Sequence, residues 1–404
     1  MSAIPASEAA AVEEERAVER NVVSLGWVAF FGGLAQDMIQ PILPLFYTSV
    51  LGLSKEAVGL IEGSLMTVVS LTKIGAGYLS DWLGRRKAIA FAGYGLSAVG
   101  RFALAFAGSA AAAFGLRLTD GVGKGIKDAP RDALVASSAG SRKLGLAFGI
   151  QRTLDTLGSV VGPLATYGLL RLWGEHPDRY REVFLIGGLV AALPLVIIGL
   201  AVRERRTPIR KQAVSLSALR GPFAYFLVVM LLFTLGNSSD AFLILRAQNV
   251  GLAAALIPVA YALFNLVSAL AAIPCGKLSD RIGRRRVIAY GWCVYALAYL
   301  GFALANAAWM IWALYAFYGL FYALSEGAGK AMVSELVPEE TRGTAFGLYN
   351  ASVGVMALPA SLIAGALWQR VSPSAPFAFG AVLAALALIG LAFVPRPGAR
   401  PLTG

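Results

Sequence analysis

Gly77-Tyr-Leu-Ser-Asp81-Trp-Leu-Gly84-Arg85-Arg86-Lys87 returns 199 residues later as Gly276-Lys-Leu-Ser-Asp280-Arg-Ile-Gly283-Arg284-Arg285-Arg286. In each copy an apolar run ends near a glycine, turns, and delivers three consecutive cations. Gly77 and Gly84 permit close backbone approach and a tight turn, and Asp81 can cap or pair with a neighbouring helix end. Arg85, Arg86 and Lys87 would hold such a connector on the cytoplasmic side of a membrane. The echo continues beyond the loop. Asp120-Gly-Val-Gly123-Lys124-Gly125 recurs as Glu326-Gly-Ala-Gly329-Lys330-Ala331, Ala147-Phe-Gly149 as Ala345-Phe-Gly347, and Gly158 and Pro163 as Gly354 and Pro359. Matches in one order at nearly one offset indicate two homologous halves.

The composition says what the halves are. Of 404 residues, 57% are hydrophobic and 14% charged, against about 45–50% and about 25% in a typical soluble domain. That excess cannot fit one soluble core, so the chain reads as an all-α polytopic membrane protein. A spanning helix needs about 20 residues. Apolar runs predict spans at 22–48, 56–79, 88–108, 110–128, 144–170 and 182–202, then at 222–246, 253–275, 287–306, 308–330, 343–368 and 375–394. Spans 1, 2, 4, 5, 7 and 10 carry internal charge and are placed partly by the alternation.

The balance is 35 Lys+Arg against 23 Asp+Glu, a net charge of +12. Basic clusters at Arg85 to Lys87, Arg142 and Lys143, Arg203 to Lys211 and Arg284 to Arg286 all follow even-numbered spans. The positive-inside rule makes those connectors, and both termini, cytoplasmic. Arg171, Arg179 and Arg181 form the one opposing group. The expected organisation is a tail at 1–21, a six-helix bundle at 22–203, a linker at 204–220, a second bundle at 221–395 and a tail at 396–404.

Several chemistries find no material. Cys275 and Cys293 both lie in apolar segments, which gives no support to a disulfide framework or a zinc site, and the only histidine, His176, sits in a polar loop. Gly123-Lys124 and Gly329-Lys330 superficially suggest phosphate loops, but positions 118 and 324 are leucine and Gly125 and Ala331 follow the lysines. HExxH and GxSxG are absent. Met1 to Arg20 has no basic region leading a short apolar run, so no cleaved signal peptide is expected. No enzyme, cofactor, metal site or nucleic-acid partner is expected.

The repeated Gly-x-Leu-x-Asp-x-x-Gly-Arg-Arg/Lys loop resembles the signature of the major facilitator superfamily, and the resemblance covers essentially the whole chain. Arg117 followed by Gly121, Gly123 and Gly125 is similar to that family's span 4 motif. Gly158-Ser-Val-Val-Gly162-Pro163 is similar to its span 5 motif, which is associated with antiporters. The resemblance implies two pseudo-symmetric six-helix bundles around one central site that opens alternately to each side. Parallel repeats are independently an expected transporter design. It also implies that Asp81 and Arg85, with Asp280 and Arg284 as their counterparts, latch one half against the other in the outward-facing state; topology alone is the competing role. Gly77, Gly84, Arg86, Gly158, Gly162 and Pro163 complete the conformational set.

Charges inside spans are the sharper signal, since each costs about 2.5–3.5 kcal/mol at a helix centre on insertion scales. Arg117, Asp120 and Lys124 share one helical face, and Glu326 and Lys330 repeat the i, i+4 spacing of Asp120 and Lys124. These either neutralise one another or carry function. Asp37 and Asp240 occupy similar places in the two halves with no opposite charge at helical spacing. A carboxyl so placed holds its proton more tightly, which a proton carrier requires. Asp37 is the first choice for protonation; Glu62, Asp120, Asp240 and Glu326 are the further candidates. Asp37, Gln40, Arg117, Lys124, Arg152, Asn237, Asp240, Tyr322 and Glu326 are the candidate substrate ligands. Tyr261, Phe264, Tyr318 and Tyr322 either wall a cavity or pack helices. Lys73, Arg101, Arg117 and Arg152 could favour an anionic or zwitterionic solute unless Glu62, Asp120 and Asp155 neutralise them.

The sequence therefore points to a monomeric secondary transporter of the plasma membrane, exporting a small organic solute or drug in exchange for protons. Proton-coupled uptake and divalent-cation export through Asp37 and Asp240 are the alternatives within transport. A non-transporting membrane sensor is the alternative outside it.

Overall fold

The computed structural model describes residues 6–139, 144–204 and 221–395, with side-chain placement from Arg20 onward except at Tyr78, Asp81 and Glu340. The expected gating role of the Asp81 side chain, the Arg142 and Lys143 pair and most of the expected linker lie outside the described residues. Every described element is helical. The first half comprises α1 (Ala6–Ile39), α2 (Leu43–Leu45) with a π-helical turn at Phe46–Val50, α3 (Lys55–Leu83), α4 (Arg86–Ala103), α5 (Ala110–Ala139), α6 (Leu144–Trp173), α7 (Arg179–Val190) and α8 (Leu193–Leu200). The second comprises α9 (Pro222–Gly236), α10 (Ala241–Asn249), α11 (Leu256–Ile282), α12 (Arg284–Leu304), α13 (Ala308–Leu336), α14 (Arg342–Arg370) and α15 (Ala375–Ala392).

Span 1 is α1, α2 and the π turn, span 6 is α7 with α8, and span 7 is α9 with α10, which gives the twelve crossings of two six-helix bundles. Ten of them are long and apolar enough on their own to cross a membrane. The other two are α5, dense in charge, and α6, diluted by glycine and polar residues. α5 runs on to Ala139, past the 128 expected from hydropathy, because an apolar run reports where the hydrocarbon ends and not where helix ends.

The repeated loop has a direct physical origin. Gly84 closes α3 at φ +61° and Gly283 closes α11 at φ +92°, backbone angles that a side chain disfavours. Glu204 then accepts hydrogen bonds from the backbone N–H groups of Arg86 and Lys87, each at 2.9 Å, satisfying the first amides of α4. In the second half Arg284 pairs with Asp280 at 2.9 Å. Its Nε also lies 3.1 Å from Glu335 on α13, an ion pair without hydrogen-bond alignment. Both partners belong to the second half.

Within the first half α1 lies along α6, and α3 and α4 pack on α5; in the second α13 packs on α11 and α12. The halves meet chiefly through α3 with α14 and α6 with α11. The repeat exchanges these two contacts, span 2 for span 8 and span 11 for span 5, as an axis along the membrane normal requires.

The halves do not meet evenly along their length. At the end opposite the basic loops, Glu56 pairs with Arg370 at 2.8 Å, and Ile42, Leu43, Phe46, Phe242 and Ile244 are buried in one apolar cluster that spans both halves. Toward the basic loops the first half keeps a separate cluster around Val28, Tyr94, Leu134 and Val135. A cavity of about 430 Å³ lies on that side, bounded by α5, α6, α11 and α13. The structure is thus sealed at one end and open at the other.

The seal is tight because α3 and α14 approach backbone to backbone. A Cβ at Gly63 would stand 2.9 Å from Leu358 Cα and 3.0 Å from Ser361 Cβ, closer than packed atoms tolerate. With cysteines at Glu56 and Arg370 bridged by a short bifunctional reagent, Gly63→Leu is expected to abolish the cross-link. Undiminished cross-linking would show that the contact repacks around the larger residue.

Candidate transport site

The charges buried in the first half form one network. Arg117 on α5 donates to both oxygens of Glu62 on α3 at 3.1 Å, to Asp120 at 3.0 Å and to Gln40 at 3.3 Å. Asp120 also takes Nε of Arg101 from α4 at 3.0 Å and the Ser97 hydroxyl, while Tyr47 donates to Glu62 at 3.3 Å. Two carboxylates and two guanidiniums, all almost fully buried, therefore balance by count. Charges excluded from water persist when paired and hydrogen-bonded. Asp120 finds its cations on Arg101 and Arg117, and Lys124, half-buried, lies in electrostatic reach of both Asp120 and Asp37.

Asp37 stands apart from that network. It is buried on α1 where α1 packs closely on α6, and a Cβ at Gly162 would come 2.6 Å from the Leu34 carbonyl and 2.9 Å from the Met38 nitrogen. Gly158 meets Phe30 in the same way, and Thr166 donates to the Met38 carbonyl at 2.7 Å. The span 5 glycines thus lie against the stretch of α1 that carries Asp37, and Pro163 beside them is buried. Across the halves, Asn265 on α11 donates to the Asp37 carboxyl at 3.4 Å and to the Ser159 carbonyl at 2.7 Å. Asp37 makes no ion pair among the described residues. A groove of about 320 Å³ between α6 and α11 leads to Ser159 and Asn265.

Asp240 is its counterpart in the second half. Asn237 to Ser239 break span 7 between α9 and α10, so a half-buried carboxyl stands where helix geometry lapses. Tyr318 donates to Asp240 at 2.7 Å, and Tyr295 donates to the Gly236 carbonyl at 3.0 Å and toward Asn237 at 3.4 Å. Tyr261, Phe264, Tyr318 and Tyr322 do assemble, with ring centroids 5.2–5.4 Å apart. Tyr322 lines the cavity.

Glu326 is not in the buried centre. It pairs with Lys330 at 2.9 Å and with Arg152 at 3.3 Å across the halves, and its side chain is 41% exposed. Arg85 is exposed on the basic end, and Gly77 makes only ordinary contact with Ala129. Two residues escaped the sequence reading for different reasons. Asn265 is a lone amide within the apolar run Leu263-Phe264-Asn265-Leu266, a detectable signal. Lys127 is buried over the Tyr94 ring, 4.4 Å from its centroid, and its charge is masked in sequence by the polar stretch around it. Arg246, also buried, caps the carbonyl end of α12 through Phe302, Ala303 and Ala305, a packing role favoured by the helix dipole.

Two six-helix repeats around a polar centre define a multi-pass membrane transport protein. The Major Facilitator Superfamily model matches residues 25–245 and 223–404. An uncharacterized MFS-type transporter of Methanocaldococcus jannaschii is 36% identical over 391 residues, covering 95% of this chain and 96% of that one. The multidrug resistance protein MdtG of Serratia proteamaculans is 27% identical, with 72% of this chain and 74% of that one covered. The crystal structure of a mutant of the nucleoside transporter NupG superposes with TM-score 0.79 at 12% identity, covering 92% of this chain and 98% of that one. The chain belongs to the Major Facilitator Superfamily; it is a transporter and not an enzyme.

Proposed function

We propose that the protein exports a small organic solute in exchange for protons, by alternating access in the plasma membrane with both termini cytoplasmic. One observation carries the reading. Asp37, a carboxyl without an ion pair among the described residues, receives a hydrogen bond from Asn265 of the other half, so its protonation bears directly on how the halves meet. With the basic loops cytoplasmic, the cavity opens inward and solute enters from the cytoplasm. Protonation of Asp37 from outside then favours solute release there, and deprotonation inside resets the cycle.

The likeness to a protein named for multidrug resistance supports export over uptake. Divalent-cation export has less support, because no group of three His, Cys, Asp or Glu side chains converges among the described residues. The test is lumenal pH in everted vesicles energised acid-inside, with organic cations, organic anions, lipophilic drugs and divalent metals added in turn. Solute-dependent alkalinisation that requires the protein is the expected result. Silence across the panel, with labelled solute entering right-side-out vesicles under an inward proton gradient, would establish uptake instead.

A further inference from the structure

We propose that Asp240 and the aromatic rings around it form the recognition subsite for an organic monocation, an ammonium or a comparably delocalised positive group; this rests on the transport reading above and names its solute class. The first ground is charge. Asp240 forms no ion pair among the described residues, and the charged group that acts on it is Glu62, already neutralised by Arg117. Asp37 differs, because Lys124 and Arg101 both reach it. The two half-sites are therefore not equivalent. The first holds its acid among cations of the protein, while the second holds an acid whose cation must come from elsewhere.

The second ground is the aromatic group that Tyr318 ties to Asp240. Phe264 lies 5.4 Å from the Tyr318 ring and 5.2 Å from the Tyr322 ring, and these two tyrosines are 5.3 Å apart. Aromatic faces carry negative potential and attract a cation within about 6 Å of the centroid. They offer no such attraction to an anion. The backbone does not reverse this sign, since the negative carbonyl end of α9 and the positive amide end of α10 meet here and offset each other. The Tyr318 hydroxyl occupies one oxygen of Asp240 and leaves the other for the solute. Tyr322 belongs both to this aromatic group and to the wall of the open cavity, which places the group next to the cavity.

The experiment is equilibrium binding of labelled tetraphenylphosphonium to the purified full-length protein in lipid nanodiscs, with tetraphenylborate as an anion of matched size and shape. Saturable phosphonium binding without saturable borate binding is expected. Asp240→Asn should weaken it by about tenfold or more, as losing a close charge partner does. Tyr322→Leu should weaken it about threefold to tenfold while Tyr322→Phe, which keeps the ring face, leaves it intact. These tyrosine variants carry the test if Asp240→Asn fails to fold. Equal binding of the two ions, no saturable phosphonium binding, or indifference to both the Asp240 and the Tyr322→Leu changes would overturn the subsite. Binding is read without a gradient, so it is separable from antiport. Asp240-dependent phosphonium binding without proton counterflow would remove antiport and keep the subsite; proton counterflow with anions alone would do the reverse.

Discussion

Asp37→Asn is expected to reduce proton-driven flux to the background of protein-free vesicles while leaving solute exchange across a gradient-free membrane intact. The substituted amide has nearly the shape of the acid and retains an oxygen for the Asn265 donor, so the junction of α1, α6 and α11 is preserved. What it loses is the capacity to take a proton and, with that, the means of linking proton entry to the contact between halves. The paired assay makes the result specific. Driven flux that persists places the coupling proton elsewhere, and loss of exchange together with driven flux gives Asp37 a structural role.

The second large effect concerns Arg117. Arg117→Met strands Glu62 in the protein interior with only the Tyr47 hydroxyl as partner among the described contacts, while Asp120 keeps Arg101 and Ser97. Removing one member of a buried pair typically costs about 3–5 kcal/mol, visible as a large fall in the unfolding midpoint of the solubilised protein. Adding Glu62→Gln should restore most of that loss, since the uncompensated charge is gone. Arg117→Met unfolding at the parental temperature would show that the pair with Glu62 does not hold the bundle together.

The architecture was readable because duplication wrote it twice. Gly84 and Gly283 terminate equivalent helices, and the cations after them fix the sidedness of each bundle. The partners of the intramembrane charges were not readable in the same way. Hydropathy gives the depth of a residue and not its azimuth, so the bond from Glu62 to Arg117, 55 residues apart, has no trace in local spacing. Local spacing even divides between two similar cases. Glu326 and Lys330 do pair at i, i+4, whereas Asp120 joins Arg101 and Arg117, because α4 brings a guanidinium to one oxygen while Arg117 reaches the other. Asp37 and Asp240 stood out in sequence by what they lacked, and that survives in three dimensions because no neighbouring span supplies an ion pair among the described residues.

In the proposed alternating-access cycle the close contact between α3 and α14 parts and re-forms at every turnover. Gly59, Gly63, Thr67 and Ser70 face Gly354, Leu358 and Ser361, and most of these residues have few or no rotamers to lose. Long side chains would each surrender up to about 1.5–2 kcal/mol of conformational entropy on every closure. A surface of glycine and serine freezes almost nothing when it docks and has almost nothing to search when it docks again. Repeated parting and re-forming of that surface then requires little reordering beyond the rigid-body movement itself.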